Sequence, residues 1–254
     1  MTERSRRRFI AYTSGTLLTA GVSSRVLGQE TPKEVPQATP AETSPTTPQE
    51  NASKPVDSNK KIRYGMLHDE TKCIGCLACV DACKETNKVP DGVSRLNIIQ
   101  TVNIPKSETQ KKAVKQFFRV SCQHCDNPAC VTVCPTGASY IDPQTGIVDV
   151  HEEDCVGCKY CLAACPYQVR FIHPVTHSAD KCNFCRNTNL AEGKEPACAT
   201  ICPTKALTFG DLNDPESAIS QAIKKNPTYR SKVNLGTEPK LYRVPSKYRE
   251  ITDA

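Results

Sequence analysis

Tryptophan is absent from this 254-residue chain and aromatic residues make up only 6% of it. No apolar run approaches the ~18 residues that a membrane-crossing helix requires, so no such helix is expected in the mature protein. With few large side chains the chain has modest means of building a core. Each half of a small domain gains too little from apolar burial alone to be well stabilised. Some other source of folding free energy is therefore expected. The sequence also offers no glycine-rich phosphate loop and no Ser-His-Asp arrangement, the signatures of nucleotide-dependent and hydrolytic enzymes.

What the chain has in abundance is cysteine, and all sixteen fall in four short runs. CIGCLACVDAC holds Cys73, Cys76, Cys79 and Cys83, and CQHCDNPACVTVCP holds Cys122, Cys125, Cys130 and Cys134. CVGCKYCLAACP holds Cys155, Cys158, Cys161 and Cys165, and CNFCRNTNLAEGKEPACATICP holds Cys182, Cys185, Cys198 and Cys202. Runs one and three keep the C-x2-C-x2-C-x3-C spacing in which three thiolates grip one 4Fe–4S cluster and the fourth ligates a different one. Thiolates two residues apart on a tight loop converge on one cluster, while a Cys three residues later starts a helix that points elsewhere; short helices are expected after each last cysteine. Gly75 and Gly157 occupy the same place in these runs and suit a loop whose NH groups face a sulfide-rich anion. Pro135, Pro166 and Pro203 follow the last Cys of runs two, three and four, where run one has Lys84.

Sixteen thiolates in sets of four imply four 4Fe–4S clusters. Zinc would need four ligands from two C-x2-C pairs and would leave the third and fourth Cys of each run surplus. Disulfides need Cα separations of about 4.4–6.8 Å, and cysteines this dense find few such partners. Iron–sulfur chemistry uses every thiol. Metal binding then supplies folding free energy that the core lacks, and the apoprotein is expected to be largely unfolded.

Residues 1–28 read as an export signal. Ser5-Arg6-Arg7-Arg8-Phe9-Ile10 resembles the twin-arginine motif; a weakly apolar stretch runs to Val22, and Val26 and Gly28 offer a small-residue cleavage site before Gln29. The twin-arginine machinery exports folded proteins, as a chain loaded with clusters in the cytoplasm requires. A periplasmic protein, peripheral to the inner membrane, is the expectation. Residues 29–61 read as a disordered linker, with Pro32, Pro36, Pro40, Pro45, Pro48 and Pro55 among Thr, Ser, Glu and Gln. As a flexible coil it would reach roughly 30 Å. Residues 1–28 carry five Arg and one Glu, so their loss lowers the formal charge from +6 to +2. Each oxidised cluster with its thiolates adds about −2, which brings the loaded protein near −6. The basic sequence is therefore no argument for nucleic acid; its Lys and Arg are expected to compensate cluster charge.

Residues 62–225 read as the cluster-bearing domain and 226–254 as a C-terminal tail extended over the surface. CIGCLACVDAC and CVGCKYCLAAC share C-[IV]-G-C-x2-C-[VL]-x-A-C, and runs two and four share C-P-T-x-A. The repeat predicts an α+β, duplicated bacterial ferredoxin-like fold, two intertwined two-cluster units with short strands, short helices and long loops. Strands are expected at 95–104, 116–120 and 147–150, the last in a hairpin with 139–141 across the turn 142–146. A helix is expected at 215–225.

Four runs in this order, with x4 inside the second and x12 inside the fourth, resemble the four-cluster ferredoxin subunits of bacterial respiratory reductases of the dimethyl-sulfoxide and polysulfide type. RYGMLHDETKCIGCLACVDACKETNKVPDGVSRL, VSCQHCDNPACVTVCPTGASY, PYQVRFIHPVTHSADKCNFCRNTNL and ICPTKALTFGDLNDPES are most similar to the iron–sulfur subunits serving periplasmic formate-dependent nitrite reduction. The resemblance covers roughly residues 62–254; the long linker departs from it. It implies that Cys73, Cys76, Cys79 and Cys202 hold one cluster, Cys182, Cys185, Cys198 and Cys83 a second, Cys122, Cys125, Cys130 and Cys165 a third, and Cys155, Cys158, Cys161 and Cys134 the fourth. Local sequence leaves sequential pairing, run one with two and three with four, equally open.

The resemblance further implies electron transfer with no catalytic residue of the chain's own. Electrons would come from an integral-membrane quinol-oxidising subunit and pass to a terminal reductase in anaerobic respiration, with nitrite reduced to ammonia through a multihaem c-type cytochrome. The alternative is the iron–sulfur subunit of a molybdopterin reductase for a sulfur or arsenic oxyanion. His124 lies between two cysteines, where hydrogen bonding to a cluster sulfur or a plain surface role is favoured over ligation. Asp69 and Glu70, and Glu152, Glu153 and Asp154, read as a solvated face or as docking charges for a cytochrome.

Overall fold

A computed structural model describes residues 61–103 and 114–246. The expected leader, the linker up to residue 60 and the end of the tail from residue 247 lie outside the described residues. β1 (Tyr64–Asp69) is the central strand of a three-stranded sheet, flanked by β8 (Leu207–Asp211), antiparallel, and β9 (Leu241–Val244), parallel. Successive side chains of a strand face opposite ways. Met66 pairs in register with Phe209 and Leu241 and joins the main core with Leu96, Ile147 and Phe184. Leu67 faces the other way, against Ile219 and Val244.

Ile219 belongs to α5 (Ala218–Lys225), whose Ala222 and Ile223 fall on the same face at helical spacing. The helix starts three residues later than expected because Ser217 caps it, its Oγ accepting from the Ser220 NH at 3.3 Å. The tail beyond Asn226 corrects a second expectation. Its described part returns to the interior after an exposed stretch at 232–236: Leu241 is fully buried in the sheet and Lys240 donates its NH to the Gln123 carbonyl at 2.8 Å. The Asp126 and Asn127 NH groups in turn donate to the carbonyls of Glu238 and Thr237.

β2 (Leu96–Asn103) and β3 (Val114–Ser121) form an antiparallel ribbon. β4 (Ser139–Ile141) and β5 (Val148–Val150) form the expected hairpin; Asp142 Oδ1 accepts from the NH groups of Gln144 and Thr145 and shapes its turn. A two-residue hairpin, β6 (Phe171–Ile172) with β7 (Ala179–Asp180), precedes run four.

The remaining helices are α1 (Ala78–Thr86), α2 (Ala129–Thr132), α3 (Tyr160–Ala163) and α4 (Ala197–Thr200). Each begins just before the third cysteine of its run rather than after the last, which corrects the expectation. The residue before a proline avoids helical geometry, so the chain leaves the helix before Cys134-Pro135, Cys165-Pro166 and Cys202-Pro203. Lys84 lifts that restriction in run one, and α1 alone continues past its fourth cysteine. α1 packs on α4 and α2 on α3. Among the described residues no helix is long and apolar enough to cross a membrane.

Candidate metal centres

The helix pairing brings run one to run four and run two to run three. Cys73, Cys76, Cys79 and Cys202 line one cavity. Cys122, Cys125, Cys130 and Cys165 line another, and Cys155, Cys158, Cys161 and Cys134 a third. Cys182, Cys185, Cys198 and Cys83 are only 4–6% exposed, and burial, then the neighbouring Cys182, Cys198 and Cys185, push the Cys83 thiol up. None of the three cavities mixes run one with run two, or run three with run four. Among the described residues no three His, Cys, Asp or Glu side chains are placed to hold a single ion. The thiols border a space, as a polynuclear group requires and one tetrahedral zinc does not.

Gly75 and Gly157 adopt φ of +71° and +65°, and the residues two further on, Leu77 and Lys159, adopt +64° and +67°. A Cβ on Gly75 would stand 2.3 Å from the Phe117 ring, and one on Gly157 2.9 Å from the His177 carbonyl, so both glycines answer a close approach as well as a left-handed turn. Backbone NH groups reach sulfur in all three cavities. His124 NH donates to Cys122 at 3.4 Å, Ser139 NH to Cys134 at 3.4 Å, Ala179 NH to Cys155 at 3.3 Å and Ala206 NH to Cys202 at 3.3 Å. The threonines of the two C-P-T repeats, Thr136 and Thr204, place hydroxyls 3.7 Å from Cys134 and Cys202.

Buried cations complete the setting. Arg119 is fully buried; its guanidinium donates to Cys198 at 3.2 Å, Cys182 at 3.8 Å and Ser121 Oγ at 2.8 Å. Burial alone would lower its pKa, but Cys198, Cys182 and Cys79 raise it. Arg170 donates to Ser139 Oγ at 2.9 Å and lies near Cys161, Cys122 and Cys130, and Lys181 lies near Cys122. Asn87 donates to Cys185 at 3.4 Å. Burial pushes the Cys79 and Cys125 thiols up to about 11 and Cys122 to about 12. Cys134 goes down: its slight burial would raise it, but hydrogen bonds from the Ser139 NH and Thr136 outweigh that. Neutral thiols that must become thiolates on binding make loading release protons and couple it to folding.

Comparison with known proteins agrees. Two models described as 4Fe-4S dicluster domain match residues 72–138 and 113–212. Protein NrfC of Escherichia coli K12 is 64% identical over 75% of this chain and 84% of its own length. The NrfC homolog of Haemophilus influenzae is 50% identical over 98% of this chain and 99% of its own. The B subunit of Wolinella succinogenes polysulfide reductase is 54% identical over 73% of this chain and 95% of its own. The chain belongs to the NrfC family of iron–sulfur proteins. It carries four 4Fe–4S clusters, and the thiol quartets, sulfur-directed NH groups and buried cations fit four anionic groups of that kind.

In this NrfC-family chain the quartets form a row. Arg119 faces Cys79 of one quartet and Cys182 and Cys198 of the next; Arg170 faces Cys122 and Cys130 of the third and Cys161 of the fourth. Between the inner two, His124 and Phe184 stack at 3.7 Å. They hold the same place in runs two and four, CQHC and CNFC. Cys76 and Cys158, in the outer quartets, are exposed, whereas Cys130 alone of the inner eight is not buried.

His124 meets sulfur through its backbone, not its ring: Nδ1 accepts from the Val148 NH at 3.2 Å, and burial, with Lys181, Lys240, Arg119 and Arg170 around it, holds the imidazole neutral. Asp69 and Glu70 are no solvated face. Both are buried, Asp69 accepting from Thr71 and Lys72, and Glu70 from the Tyr229 hydroxyl at 2.6 Å. Glu152, Glu153 and Asp154 are exposed as expected. Thr237 is a further site residue: it lines the cavity of Cys125 and meets the Tyr167 hydroxyl at 2.8 Å. The backbone bonds from the Asn127 NH to its carbonyl and from the Lys240 NH to the Gln123 carbonyl bring it there, across more than a hundred residues of sequence.

Proposed function

We propose that the chain relays single electrons from an integral-membrane quinol-oxidising subunit to a terminal respiratory reductase, with nitrite reduced to ammonia through a multihaem c-type cytochrome. The observation that carries the reading is the row of four thiol quartets, buried in the middle and open at both ends. When bound, the clusters supply one-electron chemistry at iron. The protein's part is to set the field around them. Arg119, Arg170 and Lys181 favour an added electron by their charge, Asn87 and the NH groups by hydrogen bonds, and the His124–Phe184 stack keeps water from the centre. Such a chain binds no nitrite and is no enzyme by itself.

The ligand sets in this reading are Cys73, Cys76, Cys79 and Cys202; Cys182, Cys185, Cys198 and Cys83; Cys122, Cys125, Cys130 and Cys165; and Cys155, Cys158, Cys161 and Cys134. The packing of α1 on α4 and of α2 on α3 supports them, and with them a duplicated ferredoxin-like fold of two intertwined halves. Cys73→Ser and Cys202→Ser should each remove the same centre, and the double variant should lose no second one in iron analysis. Loss of two centres in the double variant would restore sequential pairing.

We infer a periplasmic location, peripheral to the inner membrane, reached through the twin-arginine machinery. Arg6→Lys with Arg7→Lys should strand the loaded protein in the cytoplasm on cell fractionation. Deleting the gene should abolish formate-dependent ammonia formation from nitrite. The similarity to the polysulfide reductase B subunit favours one second reading, a subunit of a molybdopterin reductase for a sulfur or arsenic oxyanion. Under it the deletion strain would still make ammonia and would fail to reduce the oxyanion.

A further inference from the structure

The two ends of the row are built alike and charged differently. At one end Ile74, Leu77 and Ile201 stand exposed around Cys76; at the other Val156, Val133 and Tyr160 stand exposed around Cys158. Ile74 and Val156 hold the same place in runs one and three, as Ile201 and Val133 do in runs four and two. They are not marginal cases: Ile74 is 59% and Val156 68% exposed. Val175, in the turn of the β6–β7 hairpin that abuts Gly157, adds to the second patch. Apolar side chains grouped beside a redox site mark a surface that is covered in a complex.

The rims differ where the repeat aligns. Lys72 and Lys205 border the first end, with Lys72 also 3.1 Å from Asp69. At the corresponding places the second end has Asp154 and Gly137, and exposed Glu152 and Glu153 precede Asp154. Lys159 is the single cation among these acids. A duplicated scaffold has thus kept its apolar surfaces and diverged in sign around them.

We propose that the surface over Cys134, Cys155, Cys158 and Cys161 docks a redox partner whose cofactor edge is ringed by basic side chains, with Glu152, Glu153 and Asp154 orienting it. The inference deepens the relay reading and rests on it. Two copies meeting face to face here would bring their acids together, which disfavours self-association as the occupant. The lysine-rimmed end repels the same partner, so charge alone tells the ends apart and gives the relay a direction. One electron crosses the contact; no bond is made or broken and no proton moves.

The test uses the mature, fully loaded protein, reduced with dithionite and mixed in a stopped-flow instrument with a small basic cytochrome c, an acidic flavodoxin or a viologen. Transfer to the cytochrome should be fast at low salt and fall as salt is added. The variant E152K/E153K/D154K, with unchanged iron content and melting temperature, should slow it at low salt by about tenfold or more and remove the salt dependence. E152Q/E153Q/D154N should fall between. K72E/K205E should not slow transfer to the cytochrome and should slow transfer to the flavodoxin. Equal rates for parent and E152K/E153K/D154K, or an equal loss in K72E/K205E, would overturn the docking assignment. So would a dimer that E152K/E153K/D154K abolishes in sedimentation. If the reduced parent gives electrons to none of the three acceptors, the relay reading fails first.

Discussion

Replacing Arg119 by methionine removes a guanidinium that lies 3.2 Å from Cys198 Sγ and 3.8 Å from Cys182 Sγ, while nearly keeping the volume of a fully buried side chain. Reducing the cluster there adds one negative charge, which the guanidinium favours. The added charge is spread over the group, so a mean separation of about 6 Å and an effective dielectric of about 20 give about 3 kcal/mol. That is about a hundredfold in the reduction equilibrium, or a fall of about 120 mV in one centre's potential. Complete burial leaves little screening, so salt should not erase the shift. Cys79 also feels Arg119, so the neighbouring outer centre should fall by a smaller amount, while the two centres of runs two and three stay in place. A potentiometric titration followed by electron paramagnetic resonance resolves the steps, with iron analysis as the control for loading. Arg119→Lys, which keeps the charge, should recover most of the potential. Four unchanged potentials in a fully loaded Arg119→Met protein would refute the reasoning.

Gly75→Ala should lose one cluster in iron analysis, because its Cβ collides with Phe117 at a φ of +71°, and Phe117→Leu in the same chain should restore part of the loss. Gly137→Ala, at φ +73° but facing open space, should cost only about 1 kcal/mol and keep all four. Leu241→Ala should destabilise the loaded protein by about 2–5 kcal/mol, measured as a fall in its thermal midpoint, because a fully buried side chain is cut back in a sheet. Thr237→Val should cost about 1–2 kcal/mol in the same assay, by removing the hydroxyl that meets Tyr167, and should shift one potential only.

The thiol runs, the two loop glycines, the β4–β5 hairpin and the existence of β2 and β3, though not their pairing, were readable, because each is decided by residues close together in the chain. What escaped depends on distant partners. Arg119 sits in a strand between Phe118 and Val120, where a lone charge reads as solvent-facing; its sulfur partners come 63 and 79 residues later. Asp69 and Glu70 look like a hydrated pair beside Lys72 until Tyr229, 159 residues on, reaches Glu70. β9 is four residues long between Pro239 and Pro245, too short for a period to emerge, and it exists because β1 offers a parallel edge. α2, α3 and α4 end before the last cysteines of their runs because the prolines that follow those cysteines decide where each must stop.

The parallel pairing of β1 with β9 has a bearing on biogenesis. A strand that leaves the ribosome near the start of the described region finds its final neighbour only when almost the whole polypeptide has been made, and Cys73 likewise meets Cys202 only then. A fragment that ends before Cys202 therefore cannot close the first vessel, whereas runs two and three, which together line the other two cavities, are complete by Cys165. The thiols of runs two and three are all made before Cys202, the one that completes the vessel of Cys73, so the order of synthesis allows an order of filling.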